Sequence, residues 1–436
     1  MIVPVRRDGL WLAPGIDAAA EQLTALGLRP GDRLGLGLHD TPATIALIQA
    51  AYFAGVVLVP FNRRLDAATI RDQADRARLR HILATPEHPL ANWPLPGAPS
   101  SSSACLEEPI DERESLILFT SGTTGRAKAA RIPKRAVAHA LASSCARINL
   151  NADDIWLGCL PLDHIAGLGN ALRMLVCGYR LMQLPRFEAV QVNRCLDDDG
   201  ITGLSLVPTQ LHRLIAARGG QPWPSSLRTI LVGGGPLDAD LRQRCRDLGC
   251  APRQTYGLTE CCAMVTCQTG PGDDCGPVLD GLELRLVEGH IAVRGPTVFL
   301  GYEGEAGGPG PDGWFITGDH GVLDAEGRLT VLGRRTDLII SGGENIYPAQ
   351  IEARLRALPG VAEVAVVGLP DAEWGQVVAA VVIADGEQPT DQAWQDSLAE
   401  LPGPWRPKRW VWVTKLPRTA LGKVERSSLT AFFTPL

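Results

Sequence analysis

The sequence has no polybasic block, no CxxC pair and no short-period internal repeat, and each absence removes a class of protein. With 42 Lys and Arg against 48 Asp and Glu, a net charge of −6, the chain lacks the positive field that binding a nucleic-acid backbone requires. The eleven cysteines form no regular framework, and Cys261, Cys262, Cys267 and Cys275 follow no zinc spacing. Buried thiols in a reducing compartment are the expectation that remains. The opening MIVPVRRDGLWLAPG lacks the apolar run of a signal peptide, so a cytoplasmic protein is expected. Charge is absent from Thr41 to Asn62, a stretch long enough to raise a membrane span. Gln49, Gly55 and Pro60 interrupt it, however, and divide it into a helix over Thr44–Phe53 and a buried strand over Val56–Val59. No membrane span is expected.

What is present is ordinary globular material: 436 residues, 45% hydrophobic and 21% charged, enough chain for two or three domains. Strand-like and helical runs alternate through the first three quarters. Helices are read over Asp17–Leu26 and Leu237–Leu248, and strands over Arg33–Leu38, Ile201–Val207 and Thr229–Val232. That alternation predicts an α/β domain with mostly parallel sheets. After Gly333 the texture changes. A helix from Pro348 carries Ile351, Leu355 and Leu358 on one face. Strands over Glu363–Val367 and Val377–Ile383, a helix over Gln392–Leu401 and a strand over Trp410–Val413 follow. This predicts a smaller α+β unit with its own core, and a two-domain division into 1–335 and 336–436.

The sharpest local feature is LILFTSGTTGRAK, Leu116 to Lys128, an apolar strand running into small and hydroxylated residues and then a lysine. Gly122 and Gly125 allow a tight turn with N–H groups aimed at an anion, while Thr120, Ser121, Thr123 and Thr124 add hydroxyl donors. The segment suits a polyphosphate but is not a Walker A loop, since Ala127 and Ala129 stand where that loop needs Gly and Ser or Thr.

Five further segments occur in a familiar order: Pro161-Leu-Asp-His-Ile-Ala-Gly167, Tyr256-Gly-Leu-Thr-Glu260, Thr317-Gly-Asp319, Gly333-Arg-Arg-Thr-Asp337 and Pro417-Arg-Thr-Ala-Leu-Gly-Lys423. Together with the phosphate loop they make the chain resemble the adenylate-forming superfamily of acyl-CoA synthetases, adenylation domains and luciferases. The resemblance spans nearly the whole chain. It implies a large N-terminal domain, a small mobile C-terminal domain, and ATP-dependent activation of a carboxylic acid to an acyl-AMP.

Bringing a carboxylate to ATP joins two anions, so cations and N–H donors are needed at the α-phosphate. The resemblance assigns Thr120 to Gly125 and Lys128 to the phosphates, and Glu260 to Mg²⁺, a hard cation that takes oxygen ligands. It places Thr259 on phosphate oxygens. Adenine is expected between Tyr256, with Gly257, and the backbone of Gly233, Gly234 and Gly235. Asp319 and Arg334 are expected at the ribose hydroxyls. Lys423 is expected to bridge the substrate carboxylate and the α-phosphate, with His164, Gly167, Leu168 and Leu258 lining the acyl pocket. The substrate is the nucleophile, so no catalytic Ser or Cys is required.

The second half-reaction transfers the acyl group to CoA. In the superfamily the small domain turns about a hinge and exchanges the lysine for a glycine turn. Here the hinge falls at Thr336 and Asp337, and the turn is Gly342 and Gly343 of SGGENIYP. Arg406, Lys408 and Arg409 are read as a solvated basic rim, with contact to CoA phosphates the alternative. SGGENIYP, PLDHIAGLG and SLVPTQLHRLI, with the short chain, most resemble the o-succinylbenzoate–CoA ligases of menaquinone and phylloquinone synthesis. Another aryl- or fatty-acyl-CoA synthetase, or an enzyme loading a carrier protein, is the alternative. Arg173 and His212 are candidates for a second substrate carboxylate, and a homodimer is left open. Two departures stand out: Ala127 replaces the usual Pro before the loop lysine, and Ala130 stands where Gly or Val is common.

Overall fold

A computed structural model describes residues 1–7, 9–79, 81–91, 112–120, 126–399, 401, 403–418 and 424–433. Its backbone contacts divide into two compact units. One holds 1–285, 292–316 and 323–329; the other holds 286–291, 317–322 and 330–436.

The larger unit is built on two six-stranded sheets. In the first, His81–Ala84, Arg33–Gly37, Val57–Pro60 and Glu114–Thr120 run parallel in that spatial order. Lys128–Pro133 and then Gly301–Tyr302 add antiparallel. In the second, Arg180–Gln183, Ile155–Gly158, Gly203–Leu206, Thr229–Val232 and Pro252–Leu258 are parallel neighbours, and Ala263–Cys267 closes the edge antiparallel. The inner strands Val57–Pro60, Ile155–Gly158, Gly203–Leu206 and Thr229–Val232 are buried at every residue, as strands covered by helices on both faces must be. This is the alternation expected from sequence, with element ends shifted by a residue or two.

The uncharged 41–62 stretch shows why it does not read as a span. Thr41 caps the Pro42–Ala54 helix by accepting from the Thr44 N–H at 3.2 Å, with Pro42 in its first turn. Gly55 ends it at φ 70°, and the chain enters the Val57–Pro60 strand. Among the described residues no helix is long and apolar enough to cross a membrane.

The cysteine expectation is corrected at one pair. Cys145 and Cys177, near the ends of the Lys134–Ile148 and Ile165–Cys177 helices, are disulfide-bonded with Cα atoms 6.6 Å apart. Those helices pack against each other, a proximity that a sequence separation of 32 residues does not reveal. Among the described residues eight other cysteines are buried thiols.

The smaller unit carries a sheet of Glu344–Ile346, Ile339–Ser341, Gly375–Ala384 and Val361–Asp371, with Arg409–Trp412 parallel to Gly375–Ala384. Alternate residues of the two long strands feed two apolar clusters. Val364, Val366, Val378, Ala380 and Val382 meet Ile351, Leu355 and Trp394 on one face. Ala365, Val377, Ala379 and Val381 meet Leu416, Leu429 and Phe433 on the other. A further sheet takes the order Glu283–Val287, His290–Arg294, Phe315–Leu323, Leu329–Arg334.

Candidate functional site

In the larger unit, three of the sequence segments lie at the carboxyl ends of parallel strands of one sheet, with Gly203–Leu206 standing between the second and the third. Tyr256–Glu260 are the last three residues of the Pro252–Leu258 strand and the start of the turn after it, Gly233–Gly235 follow Thr229–Val232, and Pro161–Gly167 follow Ile155–Gly158. Ligands of open parallel sheets bind at this edge because loops and helix N-termini converge there.

Each segment has a local reason for its shape. A Cβ on Gly233 would stand 2.7 Å from the Thr255 hydroxyl, and Gly234 adopts φ 76°, so the glycine run lies flat across the strand end. A Cβ on Gly257 would fall 1.6 Å from the Ala263 carbonyl oxygen, where the pairing of the two edge strands shifts register. Tyr256 is 8% exposed and packs in that edge. Gly167 is needed because a side chain there would strike the Pro161 carbonyl at 2.0 Å. This lets His164 act as N-cap of the Ile165–Cys177 helix, its carbonyl accepting from the Leu168 N–H at 2.9 Å. The His164 imidazole is about one-third exposed, with Asp163 at 4.0 Å, whereas Leu168 is fully buried. The turn is pinned from beneath by Asp40, whose two carboxylate oxygens both accept from the Leu162 N–H at 3.4 Å. Burial pushes the Asp40 carboxyl up to about 6, with Asp163 adding to the rise and the Leu162 N–H opposing it.

The phosphate loop joins two antiparallel strands, Thr120 standing opposite Lys128. A Walker loop instead feeds a helix. Residues 121–125, with Ser121, Gly122, Thr123, Thr124 and Gly125, lie outside the described residues, as does Lys423. The feet of the hairpin are described. Lys128 Nζ lies 4.9 Å from the centre of the Tyr302 ring, and the Tyr302 hydroxyl donates to Glu260 Oε1 at 2.8 Å. Lys128 and Glu260, 132 positions apart in the sequence, are thus tied together by one aromatic residue. Tyr302 was not anticipated; it sits in a two-residue strand with no periodic signal. Arg76 donates to the Ala127 carbonyl at 2.7 Å, and Arg126 pairs with Asp72.

In the smaller unit, Asp319 and Arg334 meet as expected neighbours, Arg334 Nε lying 3.2 Å from Asp319 Oδ1. The Thr317 hydroxyl accepts from the Asp319 N–H at 3.2 Å and donates to the Ile291 carbonyl, which fixes the turn. Thr336 and Asp337 form a short 3₁₀ turn, and Arg426 ties Asp337 at 3.1 Å to the buried Glu352. Gly342 and Gly343, at φ 58° and 83°, make the two-residue turn between Ile339–Ser341 and Glu344–Ile346. Trp374 covers that turn: its carbonyl accepts from the Gly342 N–H at 3.0 Å, and a Cβ on Gly342 would lie 2.8 Å from its ring. Lys408 Nζ stands 5.7 Å from the same ring. Arg406 and Arg409 donate to the backbone carbonyls of Leu401, Ala399 and Phe433. Trp374 was not anticipated.

Of the candidates for a second substrate carboxylate, His212 is exposed on the Pro208–Arg218 helix. Arg173 is 7% exposed, donates to the Asn170 side chain at 2.5 Å and the Gly169 carbonyl at 3.2 Å, and has one buried nitrogen, Nη1, without a partner.

A glycine-lined carboxyl edge, with a lysine and a carboxylate joined by one tyrosine, suits an enzyme that takes a nucleotide. The chain belongs to the AMP-binding enzyme family, which matches residues 12–303, with the family's C-terminal domain matching 350–423. A 2-succinylbenzoate–CoA ligase of Bacillus cereus is 34% identical, over 94% of this chain and 91% of its own. The o-succinylbenzoate CoA synthetase (MenE) of Bacillus subtilis in complex with the acyl-adenylate intermediate OSB-AMP superposes with a TM-score of 0.85. The two are 29% identical, with 97% of this chain and 94% of that one covered. ATP-bound MatB of Rhodopseudomonas palustris gives 0.85 at 28% identity, over 97% and 94%. The fold is therefore that of a large α/β N-terminal domain with a small C-terminal domain, as expected.

The donor set fits magnesium bound with a nucleotide. Among the described residues no cluster of three or more His, Cys, Asp or Glu could hold a metal, so a dedicated protein cage is absent there. A single carboxylate, Glu260, held by Tyr302, suits a cation that keeps water and takes most of its ligands from phosphate.

Proposed function

We propose that this enzyme is an AMP-forming acid–CoA ligase whose acid is o-succinylbenzoate. The observation that carries the activity is the convergence of Tyr256–Glu260, Gly233–Gly235 and Pro161–Gly167 at one carboxyl edge of a parallel sheet. The relatives' substrates support the choice of acid. Adenine lies between Tyr256 and the Gly233–Gly235 backbone, and Asp319 with Arg334 takes the ribose hydroxyls. Thr120, the 121–125 loop, Lys128 and Thr259 hold the phosphates.

Glu260 would hold magnesium, which would supply positive charge against the phosphates. Lys423, carried on a C-terminal domain comprising 336–436, offsets the repulsion between the acid and the α-phosphate, and the substrate carboxylate displaces pyrophosphate. His164, Gly167, Leu168 and Leu258 surround the acyl group. After a turn about Thr336–Asp337, the Gly342–Gly343 backbone admits the pantetheine arm, whose thiol attacks the acyl-adenylate carbonyl and releases AMP. We assign the enzyme to the cytoplasm, where light scattering of the pure protein decides between a monomer and the homodimer.

The test is pyrophosphate release with o-succinylbenzoate, benzoate, octanoate and acetate, each with and without CoA. Preferred turnover of o-succinylbenzoate with CoA consumed is expected. Comparable turnover of a simple fatty acid would overturn the acid, and acid activation without CoA consumption would point to carrier loading.

A further inference from the structure

Four side chains that the reading above leaves unused meet beside Asp319. His320 Nδ1 is hydrogen-bonded to the Tyr347 hydroxyl, and its Nε2 lies 3.2 Å from His290 Nε2. Arg335 Nη1 stands 3.5 Å from the same His290 nitrogen. The rings interlock, His290 to His320 at 4.1 Å edge-on and His320 to Tyr347 at 5.7 Å. His320 and Tyr347 are both buried.

The protons in this relay have one consistent arrangement. A guanidinium cannot accept, so His290 Nε2 accepts from Arg335 and also from His320 Nε2–H. A neutral His320 protonated at Nε2 accepts at Nδ1, so Tyr347 donates. The remaining proton of His290 sits on Nδ1, a buried nitrogen without a hydrogen-bond partner. This arrangement holds for neutral imidazoles; on a protonated His320 the Nδ1–H would instead donate to the Tyr347 oxygen. A second proton on His290 would confront the Arg335 and His320 N–H groups together.

The relay also spans a boundary in the chain. His290 and His320 precede Thr336–Asp337, whereas Tyr347 follows it, directly after the Glu344–Ile346 strand of the glycine turn. We propose that Tyr347, His320 and His290 are positioning residues that latch the glycine turn to the Asp319 strand across the hinge, and so set the balance between acyl-adenylate formation and thioester transfer. The inference rests on the hinge and glycine-turn assignments proposed above.

Burial holds the His320 imidazole below the ordinary histidine value, His290 and Arg335 act in the same direction, and Asp319 opposes them. Burial raises the Tyr347 phenol, with Arg335 opposing. Because the folded-state imidazole pKa is depressed, the stabilisation this contact contributes is fully present above the ordinary histidine value and is lost as the pH falls through the lowered value.

The experiment compares full-length wild type, Tyr347→Phe and His320→Leu, each checked for an unchanged melting profile. Adenylation is followed by acid-dependent pyrophosphate exchange, and thioester transfer by CoA consumption from supplied acyl-adenylate. The ratio of the two rates is expected to shift about fivefold in each variant, the population change that loss of one net hydrogen bond brings. In wild type the same ratio should move as the pH drops below the histidine range, and in His320→Leu it should stay flat. An unmoved ratio, or equal loss of both steps, would overturn the latch. A wild type that exchanges no pyrophosphate with any acid would instead overturn the functional reading on which it rests.

Discussion

Replacing Tyr302 by Phe removes one oxygen and isolates one physical effect. The ring stays over Lys128 at 4.9 Å and against Phe299 at the same centroid distance, so packing and the cation–π contact survive. What goes is the hydroxyl that donates to Glu260 at 2.8 Å. A hydrogen bond to a charged group contributes about 1.5–3 kcal/mol. If that bond orients Glu260 for the metal-bound nucleotide, its loss falls on the adenylation barrier, where about 1.4 kcal/mol is a factor of ten. Pyrophosphate exchange should fall about 10- to 100-fold and need more magnesium for half-saturation. Tyr302→Leu, which also removes the ring from Lys128, should lose more. The assay is acid-dependent exchange of labelled pyrophosphate across a magnesium titration, with the melting temperature recorded in parallel. A Tyr302→Phe enzyme that melts earlier yet exchanges at the wild-type rate would refute the reasoning, since the tyrosine would then be structural.

Other perturbations separate the remaining parts. Lys423→Ala should suppress adenylate formation by orders of magnitude while sparing thioester formation from supplied acyl-adenylate, and equal loss in both assays would contradict the two-step assignment. Gly342→Ala meets a positive φ and the Trp374 ring at 2.8 Å, so the thioester step should slow at least tenfold with pyrophosphate exchange retained, and Trp374→Ala should raise the KM for CoA. Asp40 is held neutral up to about 6, against 3.8 for an ordinary aspartate, so its ionisation withdraws stability as the pH rises between those values. Asp40→Asn should therefore raise stability by about 3 kcal/mol at pH 8 and leave it unchanged near pH 3, which denaturant titration at the two pH values checks.

The motif order and the parallel sheets were legible because both rest on local chemistry. A glycine turn after an apolar strand, or a run of hydroxyls before a lysine, announces itself within ten residues. What stayed hidden is long-range. Tyr302 gains its meaning from Glu260 and Lys128, His320 from His290 and Tyr347, and Asp40 from the Leu162 amide, none of them within one periodic element. The Cys145–Cys177 bond depends on how two helices pack, which cysteine spacing does not encode. Trp374 was invisible for a related reason, since nothing in its own strand turn says that it covers a glycine hairpin thirty residues earlier.

The departure at Ala127 shows how such long-range contacts stand in for a local device. A proline before the loop lysine would stiffen the hairpin by restricting the unfolded chain. Here the described end of the loop at Arg126–Lys128 is held by contacts from outside it. Arg76, mostly buried and stacked 5.6 Å from the centre of the Phe119 ring, donates to the Ala127 carbonyl and pairs with Asp72 and Glu305. Asp72 also takes Arg126, and Arg33 and Arg131 bind Glu114 and Glu303 at the base of the same strands. A charge network of this kind fixes both feet of the hairpin, at Thr120 and Lys128. Arg76→Met keeps the stacking bulk and removes the clamp. It should raise the KM for ATP about tenfold, the effect of one charge-assisted bond, without slowing thioester transfer from supplied acyl-adenylate. An unchanged KM for ATP in a normally folded Arg76→Met enzyme would mean that the loop is held without the clamp, and the substitution for proline would need another cause.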